Sequence, residues 1–237
     1  MDAANTILLT TAAGIAVAHS ALGPDHYLPF VGMSRAGHWS RSRLIAVTLF
    51  CGLGHVLSSV VLGLIGVALG VGIGRLGEIE TLRGDLASWG LIAFGLVYFV
   101  WGVRRARRGR THTHVHRHGD GEVHLHEHQH QSEHLHPHPR EGKIGTSSWV
   151  LFTIFLLGPC EPMIPLLMFP AARGERHLLV AVTIVFSTLT IGTMIAAVLL
   201  LQLGVERIST ATLDRWSHAA AGATIFFCGA AIRLFGV

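Results

Sequence analysis

The sequence predicts an all-α polytopic membrane protein, with six transmembrane helices arranged as two inverted three-helix repeats around a histidine-rich linker. Three observations lead there. Half of the 237 residues are hydrophobic and 14% are charged, against about 25% charged in soluble domains, and the mean hydropathy is +0.51. The apolar residues gather into six stretches long enough to cross a bilayer. The first half of the chain also matches the second when the sequence is slid along itself.

The first stretch, 6–31, carries no basic leader and no clear cleavage site, and it contains His19 and Asp25, so it reads as a retained span. The others fall at 44–71, 86–103, 148–170, 178–203 and 216–235, each reaching the roughly 18 apolar residues a crossing helix needs. Arg35, Arg41 and Arg43 lie between spans one and two, and Arg104, Arg105, Arg107, Arg108 and Arg110 follow span three. The positive-inside rule puts both loops in the cytoplasm and both termini outside, in the cell (inner) membrane. Segment 72–85, where Arg75 and Arg83 mix with Glu78, Glu80 and Asp85, reads as a loop on the opposite side. The pI of 9.5 reflects these membrane flanks, so the implied partner is a lipid bilayer and not a nucleic acid; self-association as a homo-oligomer is left open.

A shift of 135 positions lays Leu22-Gly23-Pro24 on Leu157-Gly158-Pro159, Arg41 on Arg176 and Ala46-Val47-Thr48 on Ala181-Val182-Thr183. A shift of 127 continues the match, with Trp89 on Trp216, Gly95 on Gly222, Phe99 on Phe226 and Gly102 on Gly229. Three spans per unit is an odd number, so the second unit lies upside down relative to the first, an architecture of secondary transporters. Residues 1–103 and 148–237 are the two repeats, and 104–147 is the cytoplasmic linker. Each repeat carries a Gly-Pro that breaks its leading span, because proline lacks a backbone donor and clashes with the preceding turn.

The linker holds eleven of the seventeen histidines: His112, His114, His116, His118, His124, His126, His128, His130, His134, His136 and His138. Imidazole is the commonest ligand for borderline transition metals, and Asp120, Glu122, Glu127 and Glu133 add oxygen donors. Alternate spacing with Gly, Pro and charge predicts an extended or disordered strip that captures metal. An inert solvated linker is the plainer alternative.

Polar groups inside spans mark a pathway because they are costly there. Span one supplies His19, Asp25 and His26, span two His55, and span four Cys160 and Glu161. On an unbroken helix His19 and His26 would stand about 10 Å apart, too far for one ion, and the Gly23-Pro24 break is what would fold them together. The repeat sets Asp25-His26 against Cys160-Glu161, giving a mixed nitrogen, oxygen and sulfur set suited to nickel, cobalt or zinc and poor for magnesium or calcium. His19 and His55 each keep a packing alternative, and Cys51 and Cys228 read as small buried hydrophobes. The ion is the substrate; no permanent cofactor and no enzymatic activity are expected.

At His19-Ser-Ala-Leu-Gly-Pro-Asp25-His26, Leu53-Gly54-His55 and Gly158-Pro159-Cys160-Glu161-Pro162 the chain resembles the nickel/cobalt transporter family and its six-span urease-accessory-like and sulfite-exporter-like relatives. The resemblance implies that the His-Asp-His set of span one and the histidine of span two bind the metal. Five residues separate His19 from Asp25 where the nickel/cobalt pattern has four, and Gly23-Pro24 replaces an acidic-small pair. An anion or sulfur-compound exporter of the same superfamily is the second reading, and a thiol electron-transfer membrane protein the third. Deleting 112–138 should leave a folded membrane protein whose half-saturating metal concentration rises. An unchanged half-saturation in a transport assay would exclude the capture role.

Overall fold

The computed structural model describes residues 3–108, 112–117, 123–128, 146–207 and 211–235. Eight α-helices form its body: α1 (Ala3–Leu22), α2 (Leu28–Ala36), α3 (Arg41–Ala68), α4 (Ile73–Arg108), α5 (Thr146–Leu157), α6 (Met163–Ala172), α7 (Arg176–Glu206) and α8 (Ala211–Phe235). Among the described residues α1, α3, α4, α7 and most of α8 are long and apolar enough to cross a membrane, while α5 and α6 are shorter apolar helices. The outer face is correspondingly apolar: Leu53, Leu57, Val97, Ile184, Leu200 and Phe227 are all at least half exposed.

Both Gly-Pro sites break their helices. α1 ends at Leu22, a single 3₁₀ turn covers Pro24–His26, and α2 resumes at Leu28; α5 ends at Leu157 and α6 resumes at Met163. The turn that follows α2 closes by two bonds, Trp39 N–H to the Ser34 carbonyl (3.0 Å) and His38 N–H to that of Arg35 (3.4 Å), with His38 in the left-handed region at φ 47°. This doubly bonded closure of a helix end satisfies orphan carbonyls. α6 ends the same way at Gly174, φ 70°, where Glu175 N–H reaches the Pro170 carbonyl. Ser40 then caps α3, its hydroxyl accepting from Arg43 N–H.

One expectation needs correcting. Segment 72–85 is not a loop: α4 begins at Ile73 and runs 36 residues. Arg75 and Glu78 are exposed, but Glu80 is fully buried and paired with Arg83 one turn on, so the helix carries that pair inside. Part of the histidine strip is extended, one of the two forms its spacing predicts. β1 (His112–Arg117) pairs antiparallel with β2 (Val123–His128), setting His112 opposite His128, His114 opposite His126 and His116 opposite His124. Val115 and Leu125 occupy intervening register positions, and Gly119-Asp120-Gly121 has the composition of hairpin turns. His118, His130, His134, His136 and His138 lie outside the described residues.

α4 packs along α8, α1 against α7, α2 against α7 and α8, and α3 against α5, α6 and α7. Exchanging each helix for its partner in the other half returns the same set: α1 with α7 becomes α5 with α3, and α2 with α8 becomes α6 with α4, a pair that also touches. The α4–α8 seam is reciprocal at single residues. A methyl on Gly95 would run into the Phe226 backbone and the Gly222 carbonyl, and one on Gly222 into the Phe99 backbone and the Gly95 carbonyl. Close backbone approach through small residues is how helices associate in an apolar medium. One buried cluster forms around Phe30, Leu44, Leu91, Phe155 and Met194, and a second around Ala12, Ala16, Cys160, Leu167 and Phe186.

Alanine normally favours a helix over glycine by about 1 kcal/mol. At Gly192, which faces open space, Gly192→Ala should raise or leave unchanged the thermal midpoint of detergent-purified protein. Gly222→Ala should lower it, by about 1–3 kcal/mol of overpacking, and equal midpoints for the two variants would contradict the seam.

Candidate metal centre

Proline 24 has no N–H to give the α1 ladder, so the last α1 bond in this stretch is from Gly23 N–H to the His19 carbonyl (3.1 Å). The chain then doubles back, with His26 N–H on the Gly23 carbonyl (3.1 Å). The reversal brings the His19 and His26 ring centroids to 4.8 Å, about half the separation an intact helix would impose. His55 approaches from α3, at 5.1 Å from His26 and 6.2 Å from His19. One ligating nitrogen from each ring lies within 4.8 Å of the other two.

Each buried ring is oriented by what holds its Nδ1. His55 Nδ1 lies 3.4 Å from the Phe155 carbonyl oxygen, which can only accept, so that nitrogen carries the proton. His26 Nδ1 faces the Gly23 carbonyl (3.3 Å) and the Asp25 carboxylate (3.2 Å), and is protonated by the same logic. Both Nε2 atoms are buried without a hydrogen-bond partner. Buried imidazole nitrogens are normally satisfied, so these two Nε2 atoms, on rings standing edge to face at 5.1 Å, are candidate donors to a cation. Asp25 sits behind His26, where a carboxylate fixes the tautomer of a histidine.

The sequence placed His19, Asp25, His26, His55, Cys160 and Glu161 in one site. His19, His26 and His55 come together, Asp25 supports His26, and Cys160 Sγ stands 4.0 Å from His19 Nε2. Glu161 is exposed and does not join the trio; it lines the same cavity of about 630 Å³, which also meets His19, His26 and His55. Asp85 and Arg233 line that cavity too and pair at 3.1 Å, tying α4 to α8.

The second break is held by a pair the sequence reading missed. Arg83 donates to the Leu156 carbonyl (2.9 Å), the Gly158 carbonyl (3.3 Å) and the Ser58 and Ser59 hydroxyls (2.6 and 3.3 Å), and pairs with Glu80. The other Glu80 oxygen accepts from Cys160 N–H at 3.2 Å. Orphan groups on both sides of Pro159 are thereby satisfied from α4. The available signal was the Glu80/Arg83 spacing of three, a helical ion pair, set among Leu76, Ile79 and Leu82.

Fold and site together define a helical bundle of membrane-crossing composition with a buried three-histidine centre at a broken helix. No protein-family model, no curated protein and no solved structure matches this chain.

Removing one partner of a buried pair strands the other charge, at about 3–5 kcal/mol. Glu80→Ala should therefore destabilise strongly, and Glu80→Met combined with Arg83→Met should cost less than the sum of the two single changes. A double-mutant cycle on thermal unfolding in detergent measures both, and a Glu80→Ala protein that melts like the parent would rule out the bracing role.

Proposed function

We propose that this chain is a secondary transporter of divalent transition-metal ions, with nickel and cobalt as the leading substrates and zinc also accommodated by the same donors. The observation that carries the reading is the pair of buried, unpartnered Nε2 atoms of His26 and His55, grouped with His19 beside a helix break. Broken helices at the meeting point of two halves are where secondary transporters hold ions. The cavity gives the centre a route out past Glu161, an exposed carboxylate that attracts cations, and past the Asp85–Arg233 pair. The short motifs shared with the nickel/cobalt transporter family agree with this reading.

The same proposal takes the helices as six crossing segments in two inverted halves, counting α1 with α2 and α5 with α6 as single broken spans. The reciprocal Gly95/Gly222 contacts support it, since an inverted repeat demands such mutual pairs on its axis. With α3 starting and α4 ending in arginine-rich segments, the histidine-rich linker is cytoplasmic and both termini are outside. There it collects ions for the membrane site. The anion-exporter alternative requires a cation available to the substrate; Arg83 at the break is engaged by Glu80 and two carbonyls, and Arg233, which lines the cavity, is paired with Asp85, which favours the metal reading.

Detergent-purified protein lacking 112–138 provides the test by equilibrium binding of nickel or cobalt. His26→Ala and His55→Ala should each nearly abolish binding, and Asp25→Asn should weaken it by about 10- to 100-fold, as loss of an orienting partner does. Protons compete for the same nitrogens, so affinity should fall as the pH is lowered. Retention of parental binding by both histidine variants would refute the proposal.

A further inference from the structure

Three nitrogens leave a four-coordinate ion one donor short, and one further donor stands beside them. Cys160 is fully buried, its thiol is free of any disulfide, and its Sγ lies 4.0 Å from His19 Nε2. Bonds of about 2.0–2.1 Å to nitrogen and 2.3 Å to sulfur put N and S about 3.6 Å apart around a tetrahedral ion, so the gap to His19 has only a few tenths of an ångström to close, while Sγ, which does not join the grouped ligand atoms, must swing about its side-chain bond toward His26 and His55. The segment that carries Cys160 is fastened on both sides, its own N–H to Glu80 and the Gly158 carbonyl to Arg83. The competing donors are otherwise placed: Asp25 is committed to His26 Nδ1, and Glu161 is exposed. His26 and His55 supply the independent sign of a ligand, two buried Nε2 atoms with nothing to bind.

We propose that Cys160 is the fourth ligand, as thiolate, of an ion held by His19, His26 and His55, and that this three-nitrogen, one-sulfur tetrahedral centre takes cobalt(II) and zinc in preference to nickel(II). The proposal rests on the transporter reading above and narrows its substrate class. On binding, the S–H bond breaks, a metal–sulfur bond forms and the proton is released to bulk solvent; no oxidation state changes. Zinc has no geometric preference and accepts the tetrahedron readily. Nickel(II) favours tetragonal arrangements, which donors from three separate segments around a closed corner do not offer.

Cobalt(II) is the probe, added at one equivalent to the full-length protein in detergent. A thiolate-to-cobalt charge-transfer band in the near ultraviolet is expected, with the intense visible absorption of tetrahedral cobalt. The linker histidines also take cobalt but contribute no sulfur. The band should survive in Cys51→Ser and Cys228→Ser and vanish in Cys160→Ser, and zinc should displace it at far lower concentration than nickel does. X-ray absorption at the cobalt edge of the unmutated protein should give a sulfur neighbour at about 2.3 Å, a result independent of whether any variant folds. Cobalt binding that depends on His26 and His55 but has no sulfur neighbour, or a band that persists in Cys160→Ser, would overturn the fourth-ligand assignment while leaving the transporter reading intact. Cobalt binding indifferent to His26 and His55 would overturn both.

Discussion

The governing constraint in this molecule is the need to satisfy backbone groups where two helices break within an apolar bundle. Each buried N–H or C=O left unpaired costs several kcal/mol. The two breaks meet this need by different means. At Gly23-Pro24 the solution is local: the 3₁₀ turn bonds back to Gly23 and Pro24, and the histidine of the turn uses its own Nδ1 on the Gly23 carbonyl. At Gly158-Pro159 it is remote, with Arg83 and Glu80 reaching across from α4. The local solution leaves the Nε2 of His26 free for a ligand. The remote one leaves a thiol pointing at His19.

The arrangement divides labour between the helices before and after the linker. The segment up to α3 contributes all three imidazoles and the carboxylate behind one of them, and α4 contributes the ion pair that braces the second break. The segment after the linker contributes the Phe155 carbonyl that orients His55 and the Cys160 sulfur beside His19. Gly158 makes the junction tight, because a methyl there would press on His55 Nδ1. The trio is thus held where α3 meets α5, although its nitrogen atoms all come from the N-terminal helices.

What was legible in the sequence follows from how locally it is encoded. The helix breaks were readable because proline chemistry depends on one residue, and five long apolar helices because hydropathy adds up over twenty, whereas the stretch at 148–170 is two shorter helices. Gly95 and Gly222 were readable as equivalents, and they meet. The start of α4 was not: Glu78, Glu80, Arg83 and Asp85 carry the composition of a solvated turn, and only the burial of Glu80 against Cys160 turns them into helix. Glu161 was misjudged for a related reason. It falls on His26 when the sequence is shifted by 135 positions, but a sequence match does not bring two side chains together, and Glu161 is exposed on the cavity wall. In the linker the extended form was readable, since alternation has the period of a β-strand, but the pairing of two such segments was not, because register depends on residues distant in sequence.

The α4–α8 seam has a mechanical side. At Gly95 and Gly222 main chain lies on main chain, without the interlocked side chains that set the angle between most packed helices. Such a contact fixes separation strictly, and the side chains one turn along set the angle: Tyr98 meets His218 Nδ1 at 2.8 Å, Trp101 packs edge-on against the same imidazole, and Arg215 donates to the Ala106 carbonyl. At the other end of the same pair of helices, Asp85 and Arg233 form a second tie. The two helices are therefore pinned on both sides of the glycines, and the wall they give to the cavity moves only if one of those pins is released.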